Sequence, residues 1–286
     1  MQKEAIPAFL KWAGGKRRLI SNLERYFPKK IDRYFEPFLG AGSMFFHIKQ
    51  KYNPNHCEIS DINKDLINTF IAVRDRPKLL IKHLREFKQN HGKKFYYEVR
   101  DKFNHNRFRG VRRCAVFIYL NKTCFNGLYR VNKSGEFNVP LGKYKNPEIF
   151  NEETIFAAHS LLRGVVIKHQ DYRKILSNIR KNDFVYLDPC YDPIKRTSFV
   201  HYTPERFQIK DRIALSQFIW SIKSIGGNAL LSNNDIPEIR KIYSEFNIVE
   251  IEAPRCINSD ADKRGKIVEL AISTYQPSNF IVSSTS

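Results

Sequence analysis

The alternation of short apolar segments with helical segments constrains the fold of this chain more than any other feature. Segments of strand character occupy residues 31–38, 57–61, 165–168, 184–187 and 229–232. Segments with apolar residues at helical spacing occupy residues 43–52, 66–87 with an interruption at Pro77, 111–121, 172–179, 204–225 and 237–246. Residues 249–253 and 267–274 are typical of a closing pair of strands. The pattern predicts an α/β fold with a mostly parallel sheet and helices on both faces.

Positive charge is concentrated in the middle of the chain, where the alternation is interrupted. The 286 residues include 49 Lys and Arg against 29 Asp and Glu, a net charge of +20, and residues 66–150 hold 19 against 6. A solvated surface that only maintains solubility requires no such asymmetry, whereas a basic module for a polyanion such as nucleic acid does. We therefore expect residues 66–154 to form a mostly helical insertion, with a loop-like part at 121–147. The core domain then consists of residues 1–65 and 155–286.

Composition excludes several classes of protein. Hydrophobic residues make up 42% of the chain and aromatic residues 13%, which is too much apolar material for a disordered chain. The sequence contains no stretch of 18 apolar residues, so no membrane span is predicted. The N-terminus lacks the apolar core of a secretory signal. The five cysteines are odd in number and form no Cys-x-x-Cys pair, which argues against a disulfide framework or a zinc ribbon. We expect a cytoplasmic protein, and the sequence leaves both a monomer and a dimer open.

Two motifs near the N-terminus are typical of a nucleotide-like cofactor site. The first predicted strand leads into Glu-Pro-Phe-Leu-Gly-Ala-Gly-Ser at 36–43, where Gly40 and Gly42 permit either close approach of the backbone to a ligand or an ordinary packed turn. Asp61 ends the second strand, where an acidic residue accepts hydrogen bonds from ribose hydroxyls or caps the next helix. In Lys-Trp-Ala-Gly-Gly-Lys at 11–16, the tryptophan either encloses a ligand or packs on the sheet.

The segment Asp188-Pro189-Cys190-Tyr191 follows an apolar strand and is the strongest candidate for a catalytic site. Parallel sheets bind ligands at the carboxyl ends of their strands, and Pro189 restricts Asp188 to extended geometry. Asp188 and the carbonyl of Pro189 can accept two hydrogen bonds from an exocyclic amine, and Tyr191 can stack on its ring. A β-turn rich in Asp and Pro is the structural alternative.

A basic loop within the predicted insertion has the composition of a base-recognition element. It runs from Leu120 to Arg130 and continues with Gly-Glu-Phe-Asn-Val-Pro-Leu-Gly at 135–142. Arginine binds O6 and N7 of guanine in the major groove, and aromatic or Asn side chains fill the gap left by an extruded base. An ordinary hairpin with a solvated Arg130 explains the composition equally well.

Taken in order along the chain, these motifs resemble the Dam-type DNA adenine-N6 methyltransferases, and the resemblance covers about residues 8–275. It implies a Rossmann-like sheet that binds S-adenosylmethionine, with an inserted DNA-recognition domain and double-stranded DNA as the partner. The implied cofactor-binding residues are Trp12, Lys16, Glu36, Phe38, Gly40, Gly42, Ser43, Asp61, Asp171 and Asp188. The implied catalytic residues are Asp188, Pro189 and Tyr191. The implied DNA-binding residues are Lys11, Phe125, Asn126, Leu128, Arg130 and Pro140, with GATC as the target.

The resemblance also implies a division of roles within these sets. Asp61 would hold the ribose and Asp171 the adenine of the cofactor, while Arg130 and Lys11 would each contact a guanine. The remaining basic residues of the insertion would hold phosphates. The target adenine would be extruded from the duplex, with Tyr191 replacing part of the lost stacking. The chemistry requires no metal, because the methyl group on a sulfonium is already activated.

One position departs from the family pattern, and it keeps alternatives open. The family has Asp-Pro-Pro-Tyr where this chain has Cys190 in place of the second proline. The substitution leaves the Pro189 carbonyl in place, but an impaired enzyme that only binds DNA remains the main alternative. A cytosine carbon-5 enzyme, which uses a Pro-Cys nucleophile, is a further alternative. A nuclease would need metal-binding carboxylates with a lysine, and the sequence has no convincing cluster of that kind.

Overall fold

The computed structural model describes residues 5–12, 16–189, 208–253 and 267–276. Within these residues, seven strands form one sheet: β1 (Arg33–Glu36), β2 (His56–Asp61), β3 (Val166–His169), β4 (Phe184–Leu187), β5 (Asn228–Asn234), β6 (Asn247–Ala253) and β7 (Ile267–Ser273). Their spatial order is β3-β2-β1-β4-β5-β7-β6. The first five strands in this order are parallel, and β7 runs antiparallel to both of its neighbours. The predicted α/β class, the mostly parallel sheet and the closing strand pair are confirmed.

The central strand β4 is apolar along its whole length because both faces of the sheet are covered. All four residues of β4 are buried, as expected for a parallel strand between two helical layers. Successive side chains point to opposite faces, so Phe184 and Tyr186 belong to one hydrophobic cluster and Val185 and Leu187 to the other. The sheet therefore separates two cores.

The helices occupy both faces of the sheet, and capping residues set several of their ends. They are α1 (Ile20–Leu23), α2 (Ser43–Lys51), α3 (Lys64–Asp75), α4 (Pro77–Gln89), α5 (Lys93–Asn104), α6 (Gly110–Thr123), α7 (Glu152–Leu162), α8 (Ile209–Ile225) and α9 (Pro237–Ile242). The side chain of Asn63 accepts a hydrogen bond from the Leu66 N–H and caps α3. Pro77 begins α4, which explains the interruption predicted there. None of the described helices has the length and apolar character needed to cross a membrane.

The sequence predictions differ from the structure in three places. Residues 172–179 form a 3₁₀ segment, Tyr172–Asn178, rather than an α-helix. The helix predicted for 237–246 ends at Ile242. Three helices, α1, α5 and α7, were not predicted, although the buried residues of α5 lie at helical spacing: Tyr96, Val99 and Phe103.

The segment between β2 and β3 is mostly helical and holds a hairpin formed by residues 124–142. The hairpin is closed by antiparallel bridges between Cys124 and Leu141 and between Val131 and Phe137. Its second half is fixed to α5, because the side chain of Asn104 forms hydrogen bonds with both the N–H and the carbonyl of Phe137. We refer to this element as the 124–142 hairpin.

A bidentate ion pair joins α6 to the start of α3. The guanidinium of Arg113 donates to both carboxylate oxygens of Asp65, at 2.6 and 2.7 Å. The same guanidinium lies over the ring of Phe103 at 4.0 Å. Two parallel N–H···O bonds fix direction as well as distance, so α6 has a defined orientation on the core.

Candidate active site and nucleic-acid interface

Four polar side chains lie in a row along the carboxyl edge of the sheet. Asp61, Glu36 and Asp188 end or follow β2, β1 and β4, and Ser232 lies near the end of β5. These strands are consecutive neighbours, and the strand order reverses between β1 and β4. Doubly wound sheets bind ligands at such a reversal point, because the connecting segments diverge there and leave a crevice. Residues predicted separately from the sequence therefore face one site.

The Asp188 carboxylate is contacted from two directions. The ammonium of Lys16 lies 3.1 Å from its Oδ1, and the hydroxyl of Ser232 donates to the same oxygen at 3.0 Å. The Tyr186 hydroxyl lies 2.9 Å from the Ser232 hydroxyl and extends the network into the core. These contacts hold the carboxylate in place at the end of β4.

Glu269 of β7 is a second anion beside Lys16. Its Oε2 lies 3.4 Å from the Lys16 ammonium, which is itself buried. Burial alone would lower the pKa of Lys16, but the carboxylates of Asp188 and Glu269 outweigh that effect, so the pKa lies above its ordinary value. Burial raises the pKa of Glu269, with Lys16 opposing the rise. The cluster therefore places one lysine cation between two carboxylates.

Glu36 is buried at the end of β1, and Tyr34 holds its side chain. The Tyr34 hydroxyl donates to Oε2 of Glu36 at 2.7 Å. Burial raises the pKa of Glu36 well above its ordinary value, and the nearby carboxylates of Asp188 and Asp61 raise it further, although the Tyr34 hydrogen bond opposes the rise. A cationic group that reached this carboxylate would offset the cost of its burial.

The glycine turn brings backbone donors to Asp61. Gly40 donates its N–H to Oδ2 of Asp61 at 3.2 Å, and Asn63 donates to Oδ1 at 2.9 Å. Burial raises the pKa of Asp61, although these backbone hydrogen bonds favour the charged form. Gly40 has a φ of +50°, and a Cβ there would lie 3.0 Å from Cδ1 of Trp12. The turn therefore requires glycine both for its conformation and for the close approach of the indole.

The other predicted cofactor residues surround this turn. Gly42 precedes α2 with a φ of +70°, and Ser43 is the buried first residue of that helix. Phe38 stacks on Tyr172, with ring centroids 5.2 Å apart. Asp171 accepts a hydrogen bond from the Arg173 N–H and pairs with the Arg173 guanidinium at 2.7 Å, so its carboxylate also has a structural role.

Of the predicted catalytic residues, Asp188 and Pro189 lie in the described part of the chain. Pro189 is buried directly after the β4 strand. Tyr191 and Cys190 lie outside the described residues. The strand and Asp188 therefore define the described half of this motif.

The predicted base-recognition residues share the 124–142 hairpin. Phe125, Asn126 and Pro140 are exposed, whereas Leu128 and Arg130 are half-buried. The Arg130 guanidinium donates from Nε to Oδ1 of Asn138 at 2.7 Å. That bond crosses the hairpin and restricts the rotamers of Arg130, so it presents the guanidinium in a limited range of directions.

Lys11 lies against the hairpin rather than apart from it. Its ammonium is 4.3 Å from the centroid of the Tyr144 ring. Its backbone N–H donates to Oδ1 of Asn121 at 2.8 Å, and its carbonyl accepts from Nδ2 of Asn121 at 2.7 Å. The N-terminal segment that holds Lys11 is thus fixed to α6, next to the other predicted DNA-binding residues.

Sequence reasoning did not identify Ser232, Glu269 or Ile62 as site residues. Ser232 ends a predicted strand, which is the same signal that identified Asp188. Glu269 carried no signal, because its place depends on the register of β7 against β5. Ile62 follows Asp61 and is 54% exposed, an apolar surface beside the cofactor motifs.

The side chains of the described residues form no metal-binding cluster. Among residues 5–12, 16–189, 208–253 and 267–276, no group of three or more His, Cys, Asp or Glu side chains is placed to hold a metal ion. The carboxylates along the sheet edge are instead paired with Lys16, Tyr34, Ser232 and backbone N–H groups.

Comparisons with known proteins agree with this geometry. Residues 12–257 match the family model of the D12 class N6 adenine-specific DNA methyltransferases. The chain is 42% identical to the type II methyltransferase M.MjaIII of Methanocaldococcus jannaschii, over 94% of this chain and 99% of that protein. It is 37% identical to the type II methyltransferase M1.LlaDCHI of Lactococcus lactis subsp. cremoris, over 93% and 95%. It is 34% identical to a DNA adenine methylase of Vibrio cholerae, over 92% and 94%.

Solved structures that resemble the chain are more distant. The rRNA methyltransferase aviRa of Streptomyces viridochromogenes aligns with 96% of this chain and 94% of its own, with a TM-score of 0.37 and 11% identity. The family match and the strand order together confirm the predicted Rossmann-like methyltransferase sheet.

Proposed function

The chain belongs to the D12 class N6 adenine-specific DNA methyltransferases, and on that premise we propose that it methylates the adenine of GATC in duplex DNA, with S-adenosylmethionine as the methyl donor. The observation that carries the proposal is the placement of Asp188 at the carboxyl end of β4, beside the reversal point of the sheet. There its carboxylate is held by Lys16 and Ser232 within reach of the cofactor motifs.

The donor groups along the sheet edge fit S-adenosylmethionine. The buried carboxylate of Glu36 suits a cationic amino group, and Asp61 suits the paired hydroxyls of a ribose. The exposed side chain of Ile62 offers an apolar surface for an adenine ring. When bound, S-adenosylmethionine supplies a methyl group that its sulfonium has already activated.

The remaining cofactor assignments follow the resemblance of the motifs. Gly40 and Gly42 form the turn beneath the methionine part, while Trp12 and Lys16 line the site. Asp171 is assigned to the cofactor adenine. The Asp171 carboxylate already accepts hydrogen bonds from Arg173. An adenine amine would therefore donate to the lone pairs of the carboxylate that Arg173 does not use.

The catalytic role of Asp188 is to accept a hydrogen bond from the N6 amine of the target adenine. The amine is a weak nucleophile, because its lone pair is delocalised into the ring. Hydrogen bonds to the Asp188 carboxylate and the Pro189 carbonyl favour a more tetrahedral nitrogen, whose lone pair then points toward the methyl group. Holding the two groups in this geometry supplies a large part of the rate. Tyr191 is assigned to stack on the adenine.

The 124–142 hairpin is the proposed base-recognition element. Arg130 is assigned to a guanine, where the Asn138 hydrogen bond limits its direction before DNA arrives. Leu128 and Pro140 are assigned to apolar contact with a thymine methyl. Phe125 and Asn126 are exposed at the start of the hairpin, next to the bridge between Cys124 and Leu141, and a wedge that fills the gap of an extruded base requires such exposure.

Lys11 and the basic residues around the hairpin complete the proposed DNA contacts. Lys11 is assigned to the outer guanine, from its place beside Tyr144. We propose residues 66–154 as the recognition domain and residues 1–65 and 155–286 as the catalytic domain. A DNA-associated enzyme of the cytoplasm is the setting we propose for this activity.

The deciding experiment measures transfer of labelled methyl groups to matched duplexes that contain GATC or a single-base variant of it. We expect label on N6 of adenine in the GATC duplex alone. Equal labelling of both duplexes would contradict the proposed target. Binding of cofactor and DNA without any transfer would instead identify a DNA-binding protein with an impaired site.

A substitution pair assigns the chemistry to one carboxylate. Asp188→Asn keeps the shape of the side chain and is expected to lower kcat by about 10²-fold or more while leaving DNA binding nearly unchanged. Asp75→Asn, at the exposed end of α3, is the matched control and should transfer methyl groups at the wild-type rate. Full activity of Asp188→Asn would refute the assigned role.

A further inference from the structure

One aromatic side chain of the 124–142 hairpin faces the cofactor motifs instead of the DNA-binding side. Tyr129 lies between Leu128 and Arg130 in sequence and is 8% exposed. Its ring stacks on the indole of Trp12, with centroids 5.6 Å apart and planes inclined by 14°. The same indole packs against Gly40, the first glycine of the cofactor turn. A short chain of contacts therefore leads from the turn to Tyr129.

The side chain of Tyr129 also lies near the cofactor half of the site. Burial raises the pKa of Tyr129 to about 12, and the nearby side chain of Asn63 opposes that rise. Asn63 donates its own N–H to Asp61, the carboxylate assigned to the ribose. Tyr129 is therefore close to both Trp12 and the residue that contacts Asp61.

Backbone contacts keep the two segments at a fixed separation. Asn121 binds both backbone groups of Lys11 and also donates to the Gly127 carbonyl at 3.2 Å. A Cβ on Gly127 would lie 2.4 Å from Cβ of Lys11, so the close packing of Lys11 on the hairpin leaves no room for a side chain at this position. Because the Lys11–Trp12 segment is held against the hairpin in this way, a displacement of Trp12 is transmitted to Tyr129 and its neighbours.

We infer that Tyr129 is a positioning residue that couples the cofactor site to the base-recognition hairpin, so that cofactor and target DNA strengthen each other's binding through the stack on Trp12. The inference rests on the proposed function, since it requires both ligands. Stacked rings resist lateral sliding and tilt. A cofactor that fixes the Gly40 turn and Trp12 therefore narrows the positions open to Leu128 and Arg130. Linkage makes the effect reciprocal, because one coupling factor applies to both affinities.

The test measures that coupling factor directly in the full-length protein. The probes are sinefungin, an unreactive analogue of S-adenosylmethionine, and a GATC duplex. The DNA dissociation constant is measured with and without saturating sinefungin, and the sinefungin dissociation constant with and without DNA. For the wild type, we expect each ligand to tighten the other by the same factor, about fivefold or more. A wild-type factor below about twofold would overturn the inference.

Three variants separate coupling from stability. Tyr129→Leu and Tyr129→Met fill the site without an aromatic ring and should bring the coupling factor below about twofold. Tyr129→Met is included because the flexible methionine side chain adapts to irregular cavities, and so serves if Tyr129→Leu fails to fold. Tyr129→Phe retains the stack and should restore the wild-type factor. A wild-type coupling factor in Tyr129→Leu or Tyr129→Met would contradict coupling through the ring. Loss of coupling in Tyr129→Phe would contradict it as well.

A matched control removes an aromatic ring from the other side of Tyr129. The ring of Phe137 lies 5.7 Å from that of Tyr129 and belongs to the same hairpin core. Phe137→Leu should lower the melting temperature as the Tyr129 variants do, yet keep the wild-type coupling factor. Equal loss of coupling in Phe137→Leu would reduce the role of Tyr129 to general packing. A different result would refute the proposed function itself: the wild-type protein would not bind sinefungin and would show no preference for the GATC duplex over other DNA.

Discussion

The Lys16 ammonium lies 3.1 Å from Oδ1 of Asp188, and this contact joins the first motif of the chain to the last. The lysine is buried, and its other carboxylate neighbour is Glu269, at 3.4 Å. Taking a lysine out of water is costly unless anions compensate, and here two of them do. The pair therefore contributes to both the stability of the fold and the electrostatics of the site.

Removal of the Lys16 cation should destabilise the protein more than removal of either carboxylate partner's charge. Lys16→Met leaves two partly buried carboxylates without the lysine cation, and we expect a loss of about 3–5 kcal/mol in the free energy of unfolding. Glu269→Gln should cost less, because the Lys16–Asp188 pair survives. In the double variant, part of the Lys16→Met loss should be recovered, since the glutamine of Glu269→Gln carries no charge and only the Asp188 carboxylate has lost its cation. Urea unfolding of the four proteins measures this cycle, and strict additivity would contradict it.

The Ser232 hydroxyl should contribute to turnover through its hydrogen bond to Asp188. Ser232→Ala removes that bond, and a net hydrogen bond of about 0.5–1.5 kcal/mol corresponds to a loss of about 2- to 12-fold in kcat. Tyr186→Phe is the matched control, because it removes only the hydroxyl that contacts Ser232. Single-turnover rates should fall in the order wild type, Tyr186→Phe, Ser232→Ala, with little change in DNA affinity. A loss confined to DNA affinity would show that Ser232 does not act through Asp188.

Arg130 should determine specificity at one guanine. Arg130→Ala should reduce the discrimination at that base pair by about 1–3 kcal/mol, as measured by kcat/KM for duplexes substituted there. Asn138→Ala should act in the same direction but less strongly, because Arg130 keeps its charge and loses only its orienting partner. Arg107 is an exposed cation in the segment between β2 and β3, and Arg107→Ala should lower the affinity for DNA without changing the preference at that base pair. Unchanged discrimination in Arg130→Ala would exclude the contact.

The raised pKa of Glu36 should make both stability and cofactor binding depend on pH. The folded protein binds this proton more tightly than the unfolded chain does, so the contribution to stability is complete below the unfolded-state pKa and declines as the pH rises toward the folded-state pKa. Glu36→Gln removes the titration, and its melting temperature relative to wild type should therefore be higher at pH 8 than at pH 5. The same variant should bind sinefungin more weakly, because it lacks the carboxylate assigned to the amino group.

An exposed carboxylate supplies the control for the pH measurements. Glu153→Gln removes the same charge from the first turn of α7, where the side chain is exposed. Its melting temperature relative to wild type should not increase from pH 5 to pH 8. If Glu36→Gln follows the same profile as Glu153→Gln, the titration does not belong to Glu36.

The sequence was sufficient to bring Glu36, Asp61 and Asp188 together. Asp61 ends a predicted parallel strand, Asp188 follows one, and Glu36 lies near the end of the strand predicted for 31–38. Parallel strands end at one edge of their sheet, so the row follows from the sequence pattern. Ser232 obeys the same rule at the end of the strand predicted for 229–232. The helix α7 also had a local signal, because Asn151 caps it and two acidic residues open its first turn.

Other features depend on tertiary approach and carry no local signal. The position of Glu269 requires the register of β7, and the stack of Tyr129 on Trp12 requires the insertion to fold back onto the cofactor turn. Hydrophobic periodicity places a tyrosine such as Tyr129 in a core but does not identify its neighbours. The 3₁₀ segment Tyr172–Asn178 shows a similar limit, since its apolar spacing does not distinguish it from an α-helix.

The reversed direction of β7 affects when the site can be assembled. Glu269 lies early in β7 and pairs with Asn234, the last residue of β5, so an antiparallel strand reaches the same edge through its beginning rather than its end. Lys16, near the start of the chain, meets this residue near its finish. A nascent chain that has emerged only as far as β6 lacks one of the two carboxylates beside the lysine. Completion of the lysine cluster thus waits for β7, and we expect both carboxylates to lie beside Lys16 only after β7 has emerged and paired with β5.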